Sequence, residues 1–346
     1  MHFASDNSGP VHPEVMAALQ EANAGYALPY GNDGWTKAAI TKVRRVFEAP
    51  EAAVYFTATG SAANALALAT ITDPYQTVFC TADAHIEQDE CNAPEFYSGG
   101  AKLTLVDAVD AKMDPGALSR MLESKAGSNV HGAQIGPVSL TQVTERGTVY
   151  TLDELRALAD IAKRHETKLH LDGARFANAM VALDCTAPEM SWQAGVDIVS
   201  FGGTKNGLMA VEAVVIFDPA LAWQFELRRK RGGHLFSKAR YLAAQMEAYL
   251  TDDLWLTMAR DANTAGQRLA RSLDSIDGVT LLHPPEANMV FASLPKAAHR
   301  RLQDAGAQYY PEAGADKGDG VASARMVADW SCSAASVTAF LDLVRG

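Results

Sequence analysis

A lysine follows directly after an apolar segment and two glycines. Residues 198–207 read IVSFGGTKNG, so that Lys205 comes just behind Gly202, Gly203 and Thr204. In an open α/β sheet, ligands bind at the carboxyl ends of the strands, and glycines let the backbone approach a ligand closely. We therefore predict that Lys205 is a nucleophile able to form a Schiff base with a carbonyl group. A surface lysine in a loop is the alternative that this segment alone leaves open.

The lysine segment does not match the common nucleotide-binding motifs. A P-loop requires G-x-x-x-x-G-K-[ST], whereas here Thr204 precedes the lysine and Asn206 follows it. The dinucleotide fingerprint G-x-G-x-x-G occurs nowhere in the sequence. The segment therefore does not predict an ATP site or a dinucleotide site.

An acidic residue ends another apolar segment upstream of the lysine. Residues 169–175 read LHLDGAR, which places Asp172 at a strand end and Arg175 three residues later. A carboxylate there can face the pyridine nitrogen of pyridoxal 5′-phosphate (PLP) and keep the ring protonated as an electron sink, although capping of the next helix is a common alternative role. Arg175 suits a substrate carboxylate through a bidentate contact. The two segments together predict a PLP site that serves an amino acid.

Two weaker motifs fit the same site. Residues 57–64 read TATGSAAN, and the free N–H groups of a helix that begins at Gly60 and Ser61 would cradle a phosphate. His85 follows the next predicted strand and could stack on an aromatic ring or transfer a proton. Both patterns are common in loops that bind nothing, so their weight comes from the lysine and the aspartate.

The elements that must position these residues alternate between strand-like and helix-like segments. Strands are predicted at 52–56, 77–80, 102–106, 138–140, 168–171, 198–201 and 213–217, and helices at 61–71 and 152–165. This alternation indicates βαβ units and a mostly parallel sheet covered on both faces. Beyond residue 237 the order is different: helices at 238–250 and 254–273, strands at 279–282, 289–292 and 324–327, and a helix at 337–344. We predict a large domain of residues 1–245 and a small α+β domain of residues 246–346.

Composition limits the class of protein. With 346 residues, 48% of them hydrophobic, the chain can bury a sizeable core. A net charge of −11 argues against nucleic-acid binding, which needs a basic face. The sequence lacks a signal peptide, an apolar run long enough to span a bilayer, and zinc-type Cys/His spacing. We expect a cytoplasmic protein with no membrane partner and no metal, whose four cysteines are reduced: Cys80, Cys91, Cys185 and Cys332.

Over nearly its whole length the chain resembles the low-specificity L-threonine aldolase branch of the fold-type-I PLP enzymes. That family's patterns S-D-T, Y-G-[ED]-D, S-G-T-x-[GA]-N and A-D-x-H are similar to residues 5–7, 30–33, 59–64 and 82–85. Its patterns N-[IV]-H, H-x-D-G-A-R, S-K and E-I-R-L-V-T are similar to residues 129–131, 170–175, 204–205 and 323–328.

The resemblance implies a fold, a cofactor and a reaction. The fold would have a mostly parallel seven-stranded central sheet and a smaller C-terminal α+β domain. The reaction would be PLP-dependent aldol cleavage of L-threonine, L-allo-threonine and related β-hydroxy-α-amino acids to glycine and an aldehyde. The protein would be a homotetramer whose sites lie at a dimer interface.

The same resemblance implies roles for individual residues. Lys205 would carry the cofactor as a Schiff base and Asp172 would face its ring nitrogen. His85 would stack over the ring, and either His131 or His85 would contact the β-hydroxyl. The remaining roles fall into three groups: Gly60, Ser61 and Thr204 at the phosphate; Ser5, Arg175 and Arg325 at the substrate carboxylate; and Tyr30 with one of Arg229, Lys230 and Arg231 reaching across to a neighbouring chain.

The sequence departs from the family pattern around the pocket. The pattern E-N-T-x-N is replaced by residues 140–144, LTQVT, followed by ERGT at 145–148; Asn7 replaces a threonine and Thr59 a serine. Stereochemical preference and the range of β-substituents therefore stay open. Phenylserine aldolase, β-eliminating lyase, aminotransferase and serine-hydroxymethyltransferase-like activities are alternatives, and a regulator or scaffold that keeps the PLP fold without catalysis is the alternative from another class.

Overall fold

The structure, a computed structural model, describes residues 1–127 and 129–346. Its strands are β1 Ala53–Thr57, β2 Gln76–Thr81, β3 Lys102–Val106, β4 Ala108–Val109, β5 Lys112–Met113, β6 Gln134–Thr141, β7 Leu169–Gly173, β8 Ile198–Gly202, β9 Glu212–Ile216, β10 Thr280–Leu281, β11 Met289–Pro295, β12 Tyr310–Pro311 and β13 Val321–Val327. Its helices are α1 Pro13–Ala22, α2 Gly34–Val46, α3 Gly60–Thr70, α4 His85–Gln88, α5 Ala93–Ser98, α6 Pro115–Lys125, α7 Leu152–Arg164, α8 Phe176–Leu183, α9 Ala222–Arg231, α10 Arg240–Tyr249, α11 Leu254–Asp274, α12 Lys296–Asp304 and α13 Ala334–Arg345. Short 3-10 helices at Asp6–Ser8 and Thr204–Asn206 belong to the site described below.

The central sheet has seven strands in the order β1-β9-β8-β7-β6-β2-β3. Pairing is parallel from β8 through β7, β6 and β2 to β3, whereas β9 runs antiparallel to both β8 and β1. Strands β7, β8 and β9 are buried along their whole length, which explains their continuous apolar sequences. The predicted mostly parallel seven-stranded sheet is confirmed.

Helix α7 forms where the apolar spacing predicts it. Leu155, Leu158 and Ile161 are buried on one face of the helix, as a period of 3.6 residues requires. At its start, the Thr151 hydroxyl accepts from the N–H of Glu154 (3.2 Å), and the Glu154 carboxylate accepts from the N–H of Thr151 (2.7 Å). This reciprocal capping fixes the first residue of the helix.

Strand β6 begins four residues earlier than the sequence indicates. Gly136 and Pro137 interrupt its apolar pattern and read as a turn. In the structure, a Cβ on Gly136 would lie 2.6 Å from the carbonyl oxygen of Thr77 on β2. Glycine is therefore used here for close approach of two strands, a reason that depends on a distant part of the chain.

The C-terminal part forms a four-stranded antiparallel sheet in the order β10-β11-β13-β12. The N-terminal residues pack on it: the ring of Phe3 lies edge-on to that of Phe340 at 5.0 Å, and the N–H of Val327 donates to the carbonyl oxygen of Phe3 (2.8 Å). The predicted α+β architecture is confirmed. The division at residue 245 remains a prediction; that residue lies inside α10, which packs against α1 and α2.

The helices of the described residues differ from membrane spans in length or hydropathy. Not one of those helices is both long enough and apolar enough to cross a membrane.

Three glycines at the ends of β7 and β8 let two backbone segments meet. A Cβ on Gly202 would lie 2.4 Å from the carbonyl oxygen of Ala174, and one on Gly173 would lie 2.9 Å from that of Ser200. A Cβ on Gly203 would lie 2.5 Å from the Leu208 side chain. The sequence suggested that Gly202 and Gly203 make room for a ligand, but the atoms they approach belong to the protein.

We expect Gly202→Ala to destabilise the fold by about 2–3 kcal/mol, because the methyl group must displace backbone in a packed sheet. Urea unfolding followed by circular dichroism measures the change. Gly34→Ala is the matched control, since its Cβ would meet no protein atom within 4 Å. Equal stabilities for the two variants would contradict the packing role of Gly202.

Candidate active site

A cavity lies at the carboxyl ends of β6, β7 and β8, the edge at which open α/β sheets bind ligands. Its walls bring together five residues singled out in the sequence: Gly60, His85, Asp172, Arg175 and Lys205. The other residues of the wall are Asn64, Thr141, Val143, Glu145 and Ala174.

Lys205 sits on the 3-10 helix that directly follows β8. Asn206 anchors this helix, because its amide donates to the Tyr249 hydroxyl (2.8 Å) and to the carbonyl oxygen of Trp255 (2.9 Å). Burial and the positive charge of Arg175 lower the pKa of Lys205. Within residues 1–127 and 129–346 its amine makes no hydrogen bond or ion pair. The lysine is therefore held at the cavity in a form closer to the neutral nucleophile.

Thr204, beside the lysine, is engaged with the protein. Its hydroxyl accepts from the N–H of Val211 (3.2 Å), and the N–H of Gly203 donates to the Glu212 carboxylate (2.6 Å). Burial raises the pKa of Glu212 to about 7. These contacts tie the lysine's helix to the start of β9.

Asp172 is the second-last residue of β7, and both of its carboxylate oxygens have hydrogen-bond partners. Oδ2 accepts from the amide of Asn64 (2.8 Å), and Oδ1 accepts from the N–H of Ala174 (2.9 Å). Each oxygen keeps a further lone pair for a donor on a ligand. Two residues earlier, His170 is bound between the hydroxyls of Ser139 and Ser200, and burial lowers its pKa to about 4. This neutral histidine crosslinks three strands beneath the aspartate.

His85 begins α4 and faces a buried glutamate. Its Nδ1 lies 2.8 Å from Oε1 of Glu90, and the same oxygen accepts from the amide of Asn64 (2.9 Å). The hydrogen bond to Glu90 is the main cause that raises the pKa of His85, and burial raises the pKa of Glu90. Asn64 thus connects the partner of His85 with Asp172. Glu90 also fixes the ring so that Nε2 is the nitrogen left for another contact.

The first turn of α3 leaves open space beside the cavity. The hydroxyl of Thr59 caps the N–H of Ala62 (3.2 Å), whereas the N–H groups of Gly60 and Ser61 have no partner within the helix. A Cβ on Gly60 would meet no protein atom within 4 Å. A phosphate group fits this position in both space and hydrogen bonding.

Arg175 forms a buried bidentate ion pair with Asp6. Nε donates to Oδ2 of Asp6 (2.7 Å) and Nη2 donates to Oδ1 (2.9 Å), while the amide of Asn288 donates to Oδ2 (3.1 Å). Burial acts to raise the pKa of Asp6, but the charge and hydrogen bonds of Arg175 outweigh it and the pKa is lowered. Arg175 keeps Nη1 for another partner.

Arg325 lies on β13, on the other side of the N-terminal segment. Its guanidinium stacks on the ring of Tyr310 at 4.5 Å, and Nη2 donates to the carbonyl oxygen of Ala4 (3.4 Å). Its Nε is buried with no hydrogen-bond partner among the residues the structure describes. Burial, and then the charge of Arg175, lower its pKa. Ser5, Arg175 and Arg325 thus lie around one short segment, and their role at a substrate carboxylate stays a prediction.

Tyr30 and His131, to which the resemblance gave roles at the site, are exposed and do not line the cavity in the single chain. Tyr30 is half-exposed, and Nζ of Lys230 lies 5.1 Å above its ring. His131 is exposed in the loop before β6, where its N–H donates to the Asn129 side chain (2.9 Å). One chain therefore does not bring either side chain to Lys205, and their roles stay predictions.

The structure adds polar residues that the sequence analysis did not assign. Asp6 and Asn64 lie within the motifs that resemble the family patterns, so the sequence could have indicated them as site residues. No motif in the sequence pointed to Glu90 or Asn288, because their hydrogen-bond partners are remote in sequence. Glu145 stood in the segment that departs from the family pattern.

Comparison with known proteins gives consistent results. The sequence model of the beta-eliminating lyase family matches residues 2–297. The low specificity L-threonine aldolase of Pseudomonas aeruginosa is 43% identical over 308 residues, which cover 89% of this chain and 88% of that protein. This chain belongs to the low-specificity L-threonine aldolase family. A second member, from a Pseudomonas species, is 39% identical over 335 residues, covering 97% of this chain and 94% of that protein.

Solved structures agree with the family assignment. A threonine aldolase from Leishmania major superposes with a TM-score of 0.92 at 26% identity and covers 99% of this chain and 98% of its own. A serine palmitoyltransferase from Sphingomonas wittichii has a TM-score of 0.73 at 16% identity and covers 100% and 86%; at that identity it shows the fold alone. The resemblance drawn from the motifs is confirmed.

We expect Asp6→Asn to lower the free energy of unfolding by about 3–5 kcal/mol at neutral pH, because it leaves the Arg175 charge buried without its partner. The pKa of Asp6 is lowered in the folded chain, so the pair stabilises fully above the ordinary carboxyl pKa of 3.8 and loses this effect as pH falls through the lowered value. Urea unfolding at several pH values measures both effects. Asp153→Asn, in an exposed pair with Arg156, should change almost nothing; a similar loss in both variants would contradict the assignment.

Proposed function

We propose that this chain is a PLP-dependent aldehyde-lyase that cleaves L-threonine, L-allo-threonine and related β-hydroxy-α-amino acids to glycine and an aldehyde. The Pseudomonas relatives carry the name low specificity L-threonine aldolase. The observation that carries the proposal is the single cavity that joins a buried lysine of lowered pKa with Asp172 and Arg175.

The polar groups of the cavity fit pyridoxal phosphate at three points. Gly60 and Ser61 offer free N–H groups and open space to the phosphate. Asp172, oriented by Asn64, offers a carboxylate to the ring nitrogen, and Lys205 offers an amine to the aldehyde carbon. When bound, the cofactor supplies a sink for the electron pair left by the Cα–Cβ bond.

Substrate recognition falls to the N-terminal segment and the two arginines. Arg175, held by Asp6, presents Nη1, and Arg325 presents its buried unpaired Nε. Together with Ser5 they bind the α-carboxylate and fix how the amino acid is rotated about Cα. This rotation decides which bond to Cα breaks, and so it separates aldol cleavage from transamination. His85, on the cavity wall, would contact the cofactor ring when the cofactor is bound, and His131 stays a candidate contact to the β-hydroxyl.

The proposed assembly is a homotetramer in which neighbouring chains complete each site. Two surface areas support this. The first is the segment of residues 26–30 with Phe236, which exposes large apolar side chains. The second is a groove between α5 and α9, lined by Phe96 and Leu227 together with Arg228 and Arg231. Exposed apolar areas of this kind mark contacts between proteins.

Tyr30 and one of Arg229, Lys230 and Arg231 would reach into a neighbouring site from these surfaces. A cytoplasmic location is part of the same proposal, supported by the finding that all four cysteines are free.

With added PLP, the purified protein should release glycine and acetaldehyde from L-threonine and L-allo-threonine. Lys205→Ala should lose nearly all of this activity because the Schiff-base amine is gone, while Lys37→Ala, an exposed lysine on α2, should retain it. Glycine and aldehyde release from the four threonine stereoisomers and from phenylserine is the measurement. A keto acid product, or full turnover by Lys205→Ala, would contradict the proposal.

Light scattering should give the mass of four chains, and Phe96→Asp should lower it because a charge would be buried at an apolar contact. Val109→Asp is the control, since Val109 is equally exposed but lies outside both surface areas. An active single chain, or a tetramer unaffected by Phe96→Asp, would argue against shared sites at this groove.

A further inference from the structure

Glu145 lies on the cavity wall and has no role in the function proposed so far. It follows β6 by four residues and shares the cavity with Lys205, His85 and Asp172. It stands in the segment where the sequence departs from the family pattern.

One oxygen of Glu145 is fixed by the protein on two sides. Oε1 accepts from the hydroxyl of Thr141 (2.7 Å) and from the backbone N–H of His85 (2.9 Å). These donors come from the end of β6 and from the start of α4, so the carboxyl group cannot turn freely. Thr141 is paired in register with Asp172, which places Glu145 beside the strand end that carries the aspartate.

The other oxygen is left without a partner. Oε2 is buried and makes no hydrogen bond to any residue the structure describes. Leaving a buried polar atom unpaired is costly, so its persistence in a cavity wall suits a partner that arrives with a ligand.

The ionisation of Glu145 is suited to proton transfer near neutral pH. Burial, with a smaller effect from Asp172, raises its pKa to about 7. Both the charged and the neutral carboxyl are then populated under ordinary conditions, as general acid–base catalysis requires. The titratable groups that act on it or share its cavity are Cys80, His85, Tyr150, Asp172, Arg175 and Lys205.

A purely structural role accounts for only one oxygen of the Glu145 carboxyl group. Support of Thr141 and of the His85 backbone needs one acceptor oxygen, and a glutamine would supply it equally well. The second oxygen and the ability to ionise have no structural use.

We propose that Glu145 is a catalytic residue whose unpaired Oε2 accepts the β-hydroxyl proton of the substrate, directly or through one water. The proton passes to the carboxylate, the Cβ–O bond becomes the carbonyl of the aldehyde, and the Cα–Cβ bond breaks. Its electron pair stays with Cα, which is reprotonated to give glycine, and Glu145 returns its proton to water. This inference rests on the proposed aldolase function.

Glu145→Gln tests the proposal in the holoenzyme, because it keeps Oε1 and the shape of the side chain but removes the base. Cleavage of L-threonine should fall by about 10²–10⁴-fold. Exchange of the α-hydrogen of glycine with deuterated water, followed by NMR, should keep the wild-type rate, since glycine has no β-hydroxyl. The affinity for added PLP should also be unchanged, and the ionisation near pH 7 should disappear from the pH profile of cleavage.

Two further variants control the experiment. Arg146→Gln removes the neighbouring charge, which forms a half-exposed ion pair with Asp83, and should leave cleavage and exchange unchanged. Glu145→Ala should regain cleavage when formate is added, because formate supplies the missing carboxylate.

The outcomes separate the two proposals. Equal losses of cleavage and glycine exchange in Glu145→Gln would assign Glu145 to the support of His85 and overturn the catalytic role. Unchanged cleavage would overturn it as well. If the wild type exchanges the glycine hydrogen but releases no aldehyde from any β-hydroxy amino acid, the aldolase function itself fails, and the role of Glu145 fails with it.

Discussion

The buried ion pair between Asp6 and Arg175 joins the three parts of the chain that build the cavity. Asp6 belongs to the N-terminal segment that Phe3 anchors in the small domain, and Arg175 follows β7 of the central sheet. Asn288, just before β11, donates to the same carboxylate. Removing two charges from water costs several kcal/mol per ion and is offset only by good geometry and further hydrogen bonds. Arg175 is therefore positioned only when all three parts are folded together.

Charge balance around this pair explains how an acidic protein can attract an anionic ligand. Among the described residues at and beside the cavity, Asp6 pairs with Arg175 and Glu90 faces His85, while Asp172 and Glu145 on the wall add two further carboxyl groups. Lys205 and Arg325 have no carboxylate partner there, and burial lowers the pKa of each. A phosphate or a carboxylate that enters meets the Arg325 guanidinium, which is partly stripped of water and has no carboxylate partner, so electrostatic attraction there is strong. The net charge of −11 is a sum over the whole chain and does not describe the site.

Local sequence was enough to locate the strand ends and hence Lys205, Asp172 and Arg175, because parallel strands place their carboxyl ends at one edge. It did not identify Glu90, which works only through contacts with Asn64 and His85. Gly202 and Gly203, which the sequence analysis placed next to a ligand, serve close packing within the protein. A glycine in the sequence does not show whether it makes room for a ligand or for another part of the chain. Hydrophobic periodicity was enough to predict the helices and strands. Contacts between side chains that are remote in sequence become apparent only in the folded chain.

The two acidic side chains near His85 lead to different chemistry. Glu90 forms a hydrogen bond with Nδ1 and raises the pKa of His85, so near neutral pH the imidazole holds a proton more readily than an ordinary histidine. A histidine in that state donates a proton better than it accepts one, which suits a group that stacks on a ring and contacts an anion. In the proposed reaction, the proton of a β-hydroxyl then has Glu145 as its acceptor on the cavity wall. Glu145 holds the backbone of the same histidine with one oxygen and keeps the other for this transfer.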